Sequence, residues 1–305
     1  MVSLAKKIQG LKERRDAVIL AHNYQNPEIQ DIADFVGDSL ELAVKAAEEE
    51  NGLLVFCGVR FMAETAKILS PRKRVLLPVA RAGCPMADMI GPEELRALQE
   101  RHPGAVTVCY VNSTVQVKAK SDITVTSANA VRIISALPRD REIIFVPDRN
   151  LGAWVEKETG RRMILHPGCC PVHQGMGPDD IRARLRENPG AVVIAHPECP
   201  PETLALADRV LSTGGMCDFV RSAGEGTFIV ATEMGIIHRL ARENPRAKFV
   251  PVTSRAVCAD MKLTALEDVL AALENLEPEI ILDEDLRHRA ELPIRRMLAG
   301  GIPAA

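Results

Sequence analysis

The sequence predicts an α/β protein built from three similar units, each with a small, buried parallel sheet. Two observations support this prediction. First, an apolar run of strand length that ends in a polar cluster occurs three times, as "RRDAVILAHNYQNPE", "HPGAVTVCYVNSTVQ" and "NPGAVVIAHPECPPE". Second, aligning these runs brings His22, Tyr110 and His196 into register with a period of about 87 residues, which is typical of a repeated structural unit.

The remaining elements of each unit follow in the same order. The shift that aligns the first strands also aligns "ADFVGDS", "SDITVTS" and "ADRVLST" as second strands. Third and fourth strands align as "LLVFCGVRFM", "EIIFVPDRNL" and "GTFIVATEMG", then as "RVLLPVARAG", "RMILHPG" and "KFVPVTSRA". Helical patterns lie between them, and the continuous apolar runs are typical of parallel strands covered on both faces.

These intervals predict the domain boundaries. We expect repeats at residues 1–90, 91–176 and 177–262, and a C-terminal helical extension at 263–305 that packs on another repeat. The chain begins with a predicted amphipathic helix that carries Leu4, Ile8 and Leu11 on one face, not with a secretion signal.

Composition excludes several classes of partner. The 305 residues carry a formal net charge of −3, which gives no electrostatic attraction to nucleic acid or to an anionic membrane. No apolar run approaches the roughly 18 residues of a membrane span. We therefore expect a cytoplasmic protein without nucleic-acid or membrane partners, whose eight cysteines stay reduced.

Three cysteines share the register of the repeat. Cys84, Cys170 and Cys258 are each expected at the end of the last strand of a unit, whereas Cys169 fits the register slightly less well. Equivalent thiols from three packed units would converge on a pseudo-threefold axis, and three thiolates with an open fourth position suit a [4Fe–4S] cluster. Zinc is one alternative, although structural zinc usually takes four closely spaced ligands, and a packing role is the other. The cysteines without a common position are expected to be small core residues: Cys57, Cys109, Cys199 and Cys217.

Polar side chains follow the first two strands of every unit, where parallel α/β sheets place their active sites. The first strands end in pairs that point to the same side of an extended segment: His22 with Tyr24, Tyr110 with Asn112, and His196 with Glu198. The second strands end in hydroxyls expected to cap helices and to bind an anion, or only to cap: Ser39, Ser127 and Thr213. This set suits a small polyanionic substrate that undergoes proton transfers. His173, three residues after Cys170, is expected either to support the cluster site or to play no part in it.

The chain resembles the quinolinate synthase (NadA) family over essentially its whole length. The resemblance rests on "AHNYQNPEIQDIADFVGDSL", "FCGVRFMAETAKIL", "AGCPMADM", "YVNSTVQVKAKSD", "VPDRNLGAW", "CPVH", "AHPEC", "STGGM", "TEMGIIHRL" and "CADMKLT". It implies three pseudo-threefold-related, three-layer αβα domains around a central [4Fe–4S] cluster and active site. It further implies that iminosuccinate condenses with dihydroxyacetone phosphate to give quinolinate, phosphate and water, and that an aspartate-oxidising enzyme supplies the imine.

Carried over position by position, the resemblance implies roles for individual residues. The cluster ligands are Cys84, Cys170 and Cys258, although the family often has an aromatic residue where this chain has Cys169. From the residues themselves, Glu198 is the candidate general base because it is the only carboxylate among the aligned first-strand ends, and Tyr24 and Tyr110 are candidate proton relays. Contacts to iminosuccinate map to His22, Ser39, Tyr110, Val111, Asn112, Ser127, His196, Pro197, Glu198 and Thr213.

Two other classes remain as alternatives. An iron–sulfur electron carrier or sensor would tolerate loss of Glu198 and would leave the polar strand ends unexplained. An iron–sulfur hydro-lyase acting on a small carboxylic acid would need no dihydroxyacetone phosphate. A zinc lyase would be colourless, whereas a protein that holds an iron–sulfur cluster is brown.

Overall fold

Three four-stranded sheets, all of them parallel, form the framework of the chain. The computed structural model describes residues 3–302. None of the helices in that range is both long enough and apolar enough to cross a membrane. The predicted α/β class, with small buried parallel sheets flanked by helices, is confirmed.

The first sheet and its helices occupy the N-terminal part of the chain. Their elements are α1 (Leu4–Arg15), β1 (Ala17–His22), α2 (Pro27–Ile32), β2 (Phe35–Gly37), α3 (Ser39–Glu48), β3 (Leu53–Cys57), α4 (Arg60–Leu69) and β4 (Arg74–Leu76). The strand order is β2-β1-β3-β4. Every residue of β1 and β3 is buried, as expected for apolar strands in the middle of a sheet covered on both faces.

The second sheet repeats this arrangement. Its elements are α5 (Pro92–Arg101), β5 (Val106–Tyr110), α6 (Val115–Lys118), β6 (Ile123–Val125), α7 (Ala130–Ala136), β7 (Ile143–Val146), α8 (Arg149–Thr159), β8 (Ile164–Leu165) and α9 (Pro171–Gln174). The strand order is β6-β5-β7-β8. Proline at the first helical position and two acidic residues in the first turn favour the start of α5.

The third sheet has the same order, β10-β9-β11-β12. Its elements are α10 (Pro178–Glu187), β9 (Val192–Ala195), α11 (Pro201–Leu204), β10 (Arg209–Val210), α12 (Thr213–Ala223), β11 (Gly226–Ala231), α13 (Ile236–Glu243) and β12 (Ala247–Pro251). In all three sheets the chain leaves the first strand toward one neighbour and later returns on its other side. The carboxyl end of that first strand is therefore the topological switch point, where such sheets bind ligands.

Helices outside the repeated pattern join the sheets. A short 3₁₀ turn (Asp260–Lys262) leads to α14 (Leu266–Asn275) and α15 (Glu284–Leu298). Helix α14 packs against α1 and β3, and the predicted N-terminal helix α1 buries Ile8 in the same cluster. Helix α15 contacts α4 beside the first sheet and both α6 and β6 of the second. It therefore ties the first two sheets together.

Side-chain amides join the first sheet to the third unit and to the segment that follows it. After β1, Gln25 donates to the carbonyl of Met261 (2.8 Å), and Asn26 donates to the carbonyl of Thr264 (3.1 Å). Gln30 of α2 donates to the carbonyl of Gly235 (2.9 Å). We call the contacts of Gln25, Asn26 and Gln30 the amide junction. They explain why this segment of the chain carries so many amide side chains.

Candidate active site

The carboxyl ends of the three sheets meet around one narrow cavity of about 70 Å³. It lies where the three switch points face one another. Most of the residues predicted from the sequence line it: His22, Tyr24, Ser39, Cys84, Tyr110, Asn112, Ser127, Cys170, His196, Glu198, Thr213 and Cys258.

Two of the predicted substrate contacts lie outside this lining. Val111 is buried, and its backbone N–H donates to the carbonyl of Val125 (2.8 Å). Pro197 faces a separate, more open hollow beside Trp154. Both residues sit in the middle of an i, i+2 pair, so a side chain that follows the strand's alternation points away from the cavity.

The three predicted ligand cysteines reach the cavity from loops, not from strand ends. Strands β4, β8 and β12 end at Leu76, Leu165 and Pro251, several residues before each cysteine. The expectation that the cysteines end the strands is therefore wrong, because the chain must leave the sheet to reach the cavity. Cys169 is absent from the lining, and its backbone N–H points to the Sδ atom of Met89 (3.4 Å). The four cysteines predicted to belong to the core are all buried there: Cys57, Cys109, Cys199 and Cys217.

The cavity thiols lie in surroundings that favour their neutral form. Burial raises the pKa of Cys84 to about 12 and also raises the pKa values of Cys170 and Cys258. All three thiols line the same cavity. Thiolates in such a place need a bound cation to stabilise them, which fits a metal site with three sulfur ligands.

A continuous chain of close polar contacts, here called the relay, links two phenols across the cavity. The Tyr24 hydroxyl lies 2.5 Å from Thr232 Oγ1, which lies 2.8 Å from His173 Nε2. His173 Nδ1 lies 2.8 Å from Glu198 Oε2, and the Tyr110 hydroxyl donates to Glu198 Oε1 (2.6 Å). All five residues are buried.

The relay also accounts for a group of possible metal ligands. Cys170, His173 and Glu198 place one ligand atom each within 4.8 Å of one another. His173 Nε2 lies 2.8 Å from Thr232 Oγ1, and its Nδ1 lies between Glu198 Oε2 (2.8 Å) and the Sγ atom of Cys170 (3.1 Å). His173 and Glu198 also contact Thr232 and Tyr110, so the thiol of Cys170 is the candidate metal ligand among the three.

Opposing influences set the protonation states along the relay. Burial alone would raise the pKa of Glu198, but the electrostatic influence of the neighbouring imidazoles of His173 and His196 and the hydrogen bonds from His173 and Tyr110 lower this pKa to about 2. Burial, followed by the charge of Glu198, raises the pKa values of Tyr24 and Tyr110 well above their usual range. Near neutral pH the carboxyl is therefore ionised and both phenols carry their protons.

The two histidines at the strand ends are neutral donors. Burial, followed by the charge of His196, lowers the pKa of His22 to about 3, and burial outweighs the charge of Glu198 to lower the pKa of His196 to about 3. His22 Nδ1 accepts from the backbone N–H of Tyr24 (3.1 Å), so Nε2 carries the proton. His196 Nδ1 likewise accepts from the N–H of Glu198 (3.4 Å), and Nε2 donates to Ser127 Oγ (3.1 Å).

The three hydroxyls are not helix caps, which corrects the expectation from the sequence. Asp38 caps α3 and Ser212 caps α12, so Ser39 and Thr213 are the first residues of these helices. Ser127 lies in the turn before α7. A capping side chain turns back to accept hydrogen bonds from the helix's own N–H groups. A residue that does not cap can instead direct its side chain toward a ligand.

Three polar residues at or beside the cavity are not predicted from the sequence. Thr232 joins the relay, and the carboxylate of Glu233 accepts from the N–H of Cys258 (3.3 Å) and pairs with Lys262 (3.0 Å). The sequence does contain a signal for Thr232 and Glu233, because they form a polar pair at the end of the aligned third strand, "GTFIVATEMG". His173, left undecided by the sequence, lies in the middle of the relay.

The chain is similar to known proteins over nearly its whole length. The family profile described as "Quinolinate synthetase A protein" matches residues 6–299. A protein of Dehalococcoides mccartyi named "Quinolinate synthase" is 54% identical over 295 residues, which are 97% of each chain. Proteins with the same name from Methanoregula boonei and Geobacter metallireducens are 50% and 49% identical over 296 and 297 residues, 97% of this chain and 98% and 97% of their own.

Proposed function

The chain belongs to the quinolinate synthase family and acts in NAD biosynthesis as an enzyme that forms quinolinate, and from that premise we propose how its residues carry out the reaction. Iminosuccinate condenses with dihydroxyacetone phosphate, and phosphate and water leave. The proposal rests on one observation above all. Three cysteines, three polar strand-end pairs and three hydroxyls, one of each from every repeat, converge on a single cavity.

Cys84, Cys170 and Cys258 hold a [4Fe–4S] cluster in this proposal. Their buried thiols with raised pKa values suit a site that a cation must complete, and three sulfur ligands leave one iron open. When bound, the cluster supplies a Lewis acid that polarises a substrate oxygen or nitrogen, and it transfers no net electron.

Neutral donors bind the carboxylates of iminosuccinate. His22 and Ser127 offer an N–H and an O–H to the cavity, and Ser39 and Thr213 add hydroxyls at the first turns of α3 and α12. Asp38 and Ser212 take up N–H groups of the first turns of these helices, so the two hydroxyls are the donors that face the ligand. A dicarboxylate is therefore held without a cationic side chain that would compete for the protons of the reaction.

The relay moves protons between the two faces of the bound substrates. A lone carboxylate with a pKa of about 2 would be a weak base, so the proton transfers belong to the chain of groups as a whole. Tyr24 and Tyr110 are its ends at the cavity, and Glu198 is its ionised centre. A proton that Glu198 takes from the substrate returns through Tyr110, which gives its hydroxyl proton to a substrate oxygen and recovers one from Glu198.

We also propose that the three repeats are related by a pseudo-threefold axis through the cavity, with boundaries at 1–90, 91–176 and 177–262 and the extension at 263–305. The identical strand order of the sheets supports this arrangement. All eight cysteines are free thiols, which supports a reducing cytoplasmic setting. There an aspartate-oxidising enzyme would supply the unstable imine.

Anaerobic purification of the wild type and of Cys84→Ser, Cys170→Ser, Cys258→Ser and Cys169→Ser variants tests the proposal. Iron, sulfide and quinolinate formation are measured for each. We expect about four irons and four sulfides in the wild type and in Cys169→Ser, and loss of both the cluster and the activity in the other three. A full cluster in Cys170→Ser would contradict the ligand assignment, and turnover without dihydroxyacetone phosphate would favour a hydro-lyase.

A further inference from the structure

Asn23 links Thr213 to an arginine behind the cavity. The residue follows His22 at the end of β1, and its side chain is fully buried. Asn23 Oδ1 accepts from Nη1 of Arg239 (2.8 Å), and Asn23 Nδ2 lies 2.9 Å from Thr213 Oγ1. The chain Arg239–Asn23–Thr213 thus runs from α13 through the end of β1 to the start of α12.

The chemistry of Arg239 settles the orientation of this amide. A guanidinium only donates hydrogen bonds, so the asparagine atom that faces it must be the carbonyl oxygen. The NH₂ group of Asn23 then faces Thr213 and donates to its hydroxyl oxygen. Arg239 is itself held by Glu243 (2.7 Å), and the backbone N–H of Asn23 donates to the carbonyl of Gly37 (3.0 Å). The Asn23 side chain is therefore held in one orientation and its amide cannot flip.

The hydroxyl proton of Thr213 must therefore point elsewhere. The Thr213 oxygen accepts from Asn23, and within residues 3–302 no protein atom accepts a hydrogen bond from its hydroxyl. Because Thr213 lines the cavity, its proton is directed toward whatever the cavity holds. A carboxylate accepts hydrogen bonds and cannot donate them, so this direction of the hydroxyl is the one that suits a dicarboxylate.

We infer that Asn23, locked by Arg239, is a positioning residue that fixes the Thr213 hydroxyl as a donor to a substrate carboxylate. This inference rests on the proposed function, because it takes the ligand at Thr213 to be a dicarboxylate. It assigns a task to two residues that touch no substrate. The first and third repeats contribute jointly to one hydrogen bond of the site.

The isosteric variant Asn23→Asp tests the link, because its carboxylate would accept the Thr213 proton and turn the hydroxyl away from the ligand. The readout is the Kd of the stable dicarboxylate product, quinolinate, measured by calorimetry on cluster-loaded protein. We expect Kd to rise about 10- to 100-fold, as for loss of a hydrogen bond to a charged group. In steady-state assays KM for iminosuccinate should rise by a similar factor, and kcat should stay within about 3-fold.

A double-mutant cycle separates the polarity of the hydroxyl from simple charge repulsion. Thr213→Val cannot donate, so adding Asn23→Asp to it should change Kd by less than about 2-fold. A full effect of Asn23→Asp in the Thr213→Val background would overturn the inference, and so would an unchanged Kd in the single variant. Thr213→Ser, which keeps the hydroxyl, should bind nearly as well as the wild type.

Two further results keep the test decisive. If Asn23→Asp fails to fold, Asn23→Ala removes the same bond without a new charge, and its effect should also vanish in the Thr213→Val background. If the cluster-loaded wild type forms no quinolinate, the proposed function fails. If the wild type turns over normally and the Asn23 variants bind quinolinate with an unchanged Kd, this inference is refuted and the proposed function stands.

Discussion

At the scale of single residues, the buried ionisable groups determine what the cavity can do. Glu198 is only 4% exposed, yet neighbouring imidazoles and hydrogen bonds keep it ionised. His22 and His196 are equally buried and remain neutral, because burial outweighs the charge of the carboxylate. The site therefore holds its negative charge on the relay and keeps uncharged donors for the substrate.

Replacing Glu198 with glutamine should break the relay without changing its shape. The amide cannot take a proton, so we expect kcat for quinolinate formation to fall by about 10²- to 10⁴-fold. Iron content and far-UV circular dichroism should match the wild type. The control is Glu202→Gln, an exposed residue of α11, which should keep full activity. An active Glu198→Gln enzyme would remove Glu198 from the proton chain.

Lys118 should make stability depend on pH above neutrality. Burial lowers the pKa of this fully buried lysine from 10.5 to about 8. Between these values the unfolded chain binds more protons than the folded one, so stability rises with pH, by about 3 kcal/mol over the window. Urea unfolding at pH 7.5 and pH 10 should show the wild type gaining roughly 2 kcal/mol or more over Lys118→Met. A pH-independent difference between the two proteins would contradict the shifted pKa.

At the scale of elements, neighbouring residues divide the work at each helix start. In α3 the Asp38 side chain accepts from the N–H groups of Leu40 and Glu41, and Ser39 faces the cavity. In α12 Ser212 does the capping, and Thr213 faces the cavity. One residue stabilises the helix and the next is available to the ligand.

This division predicts opposite phenotypes for adjacent substitutions. Asp38→Ala should lower the free energy of unfolding by about 1 kcal/mol through loss of the cap. Ser39→Ala should leave that free energy within about 0.5 kcal/mol of the wild type but raise the Kd for quinolinate. Chemical denaturation and calorimetry measure the two effects. A Ser39→Ala protein less stable than Asp38→Ala would return the capping role to the serine.

At the scale of the whole molecule, the C-terminal helix holds the first two sheets together. Ile294 of α15 is fully buried in the main core cluster, whereas Leu292 on the same helix is 54% exposed. Contacts with α4, α6 and β6 surround the buried face. The extension is therefore part of the core and not an appendage to it.

Truncating the buried face of α15 should destabilise the protein. Ile294→Ala is expected to cost about 2–4 kcal/mol, because it removes buried methyl groups and leaves a cavity. Leu292→Ala, the matched control, should change stability by less than about 0.5 kcal/mol. Urea unfolding followed by circular dichroism gives both values. Equal effects of the two variants would show that α15 does not secure the sheets.

Features that recur in every unit at the same interval could be predicted from the sequence. The succession of strands along the chain, the i, i+2 pairs and the cysteine register all follow from spacing, and the structure brings most of the predicted site residues to one cavity, whereas spacing does not predict the order of strands within each sheet. The relay could not be predicted, since Thr232 and His173 meet only after two sheets have packed together. The roles of Asn23 and α15 likewise depend on partners more than 150 residues away, to which no local pattern points.

The amide junction has a consequence for how the enzyme responds to salt. Ionic strength screens charged contacts, such as the surface pairs Lys12–Asp34 and Arg221–Asp218, and has little effect on neutral hydrogen bonds. Gln25, Asn26 and Gln30 join the first sheet to the third unit and to the segment that follows it with uncharged donors and acceptors only. Concentrated salt therefore competes with the anionic substrates for the cavity and weakens the ion pair between Arg242 and Asp31, which crosses the same boundary, while the amide junction itself stays in place.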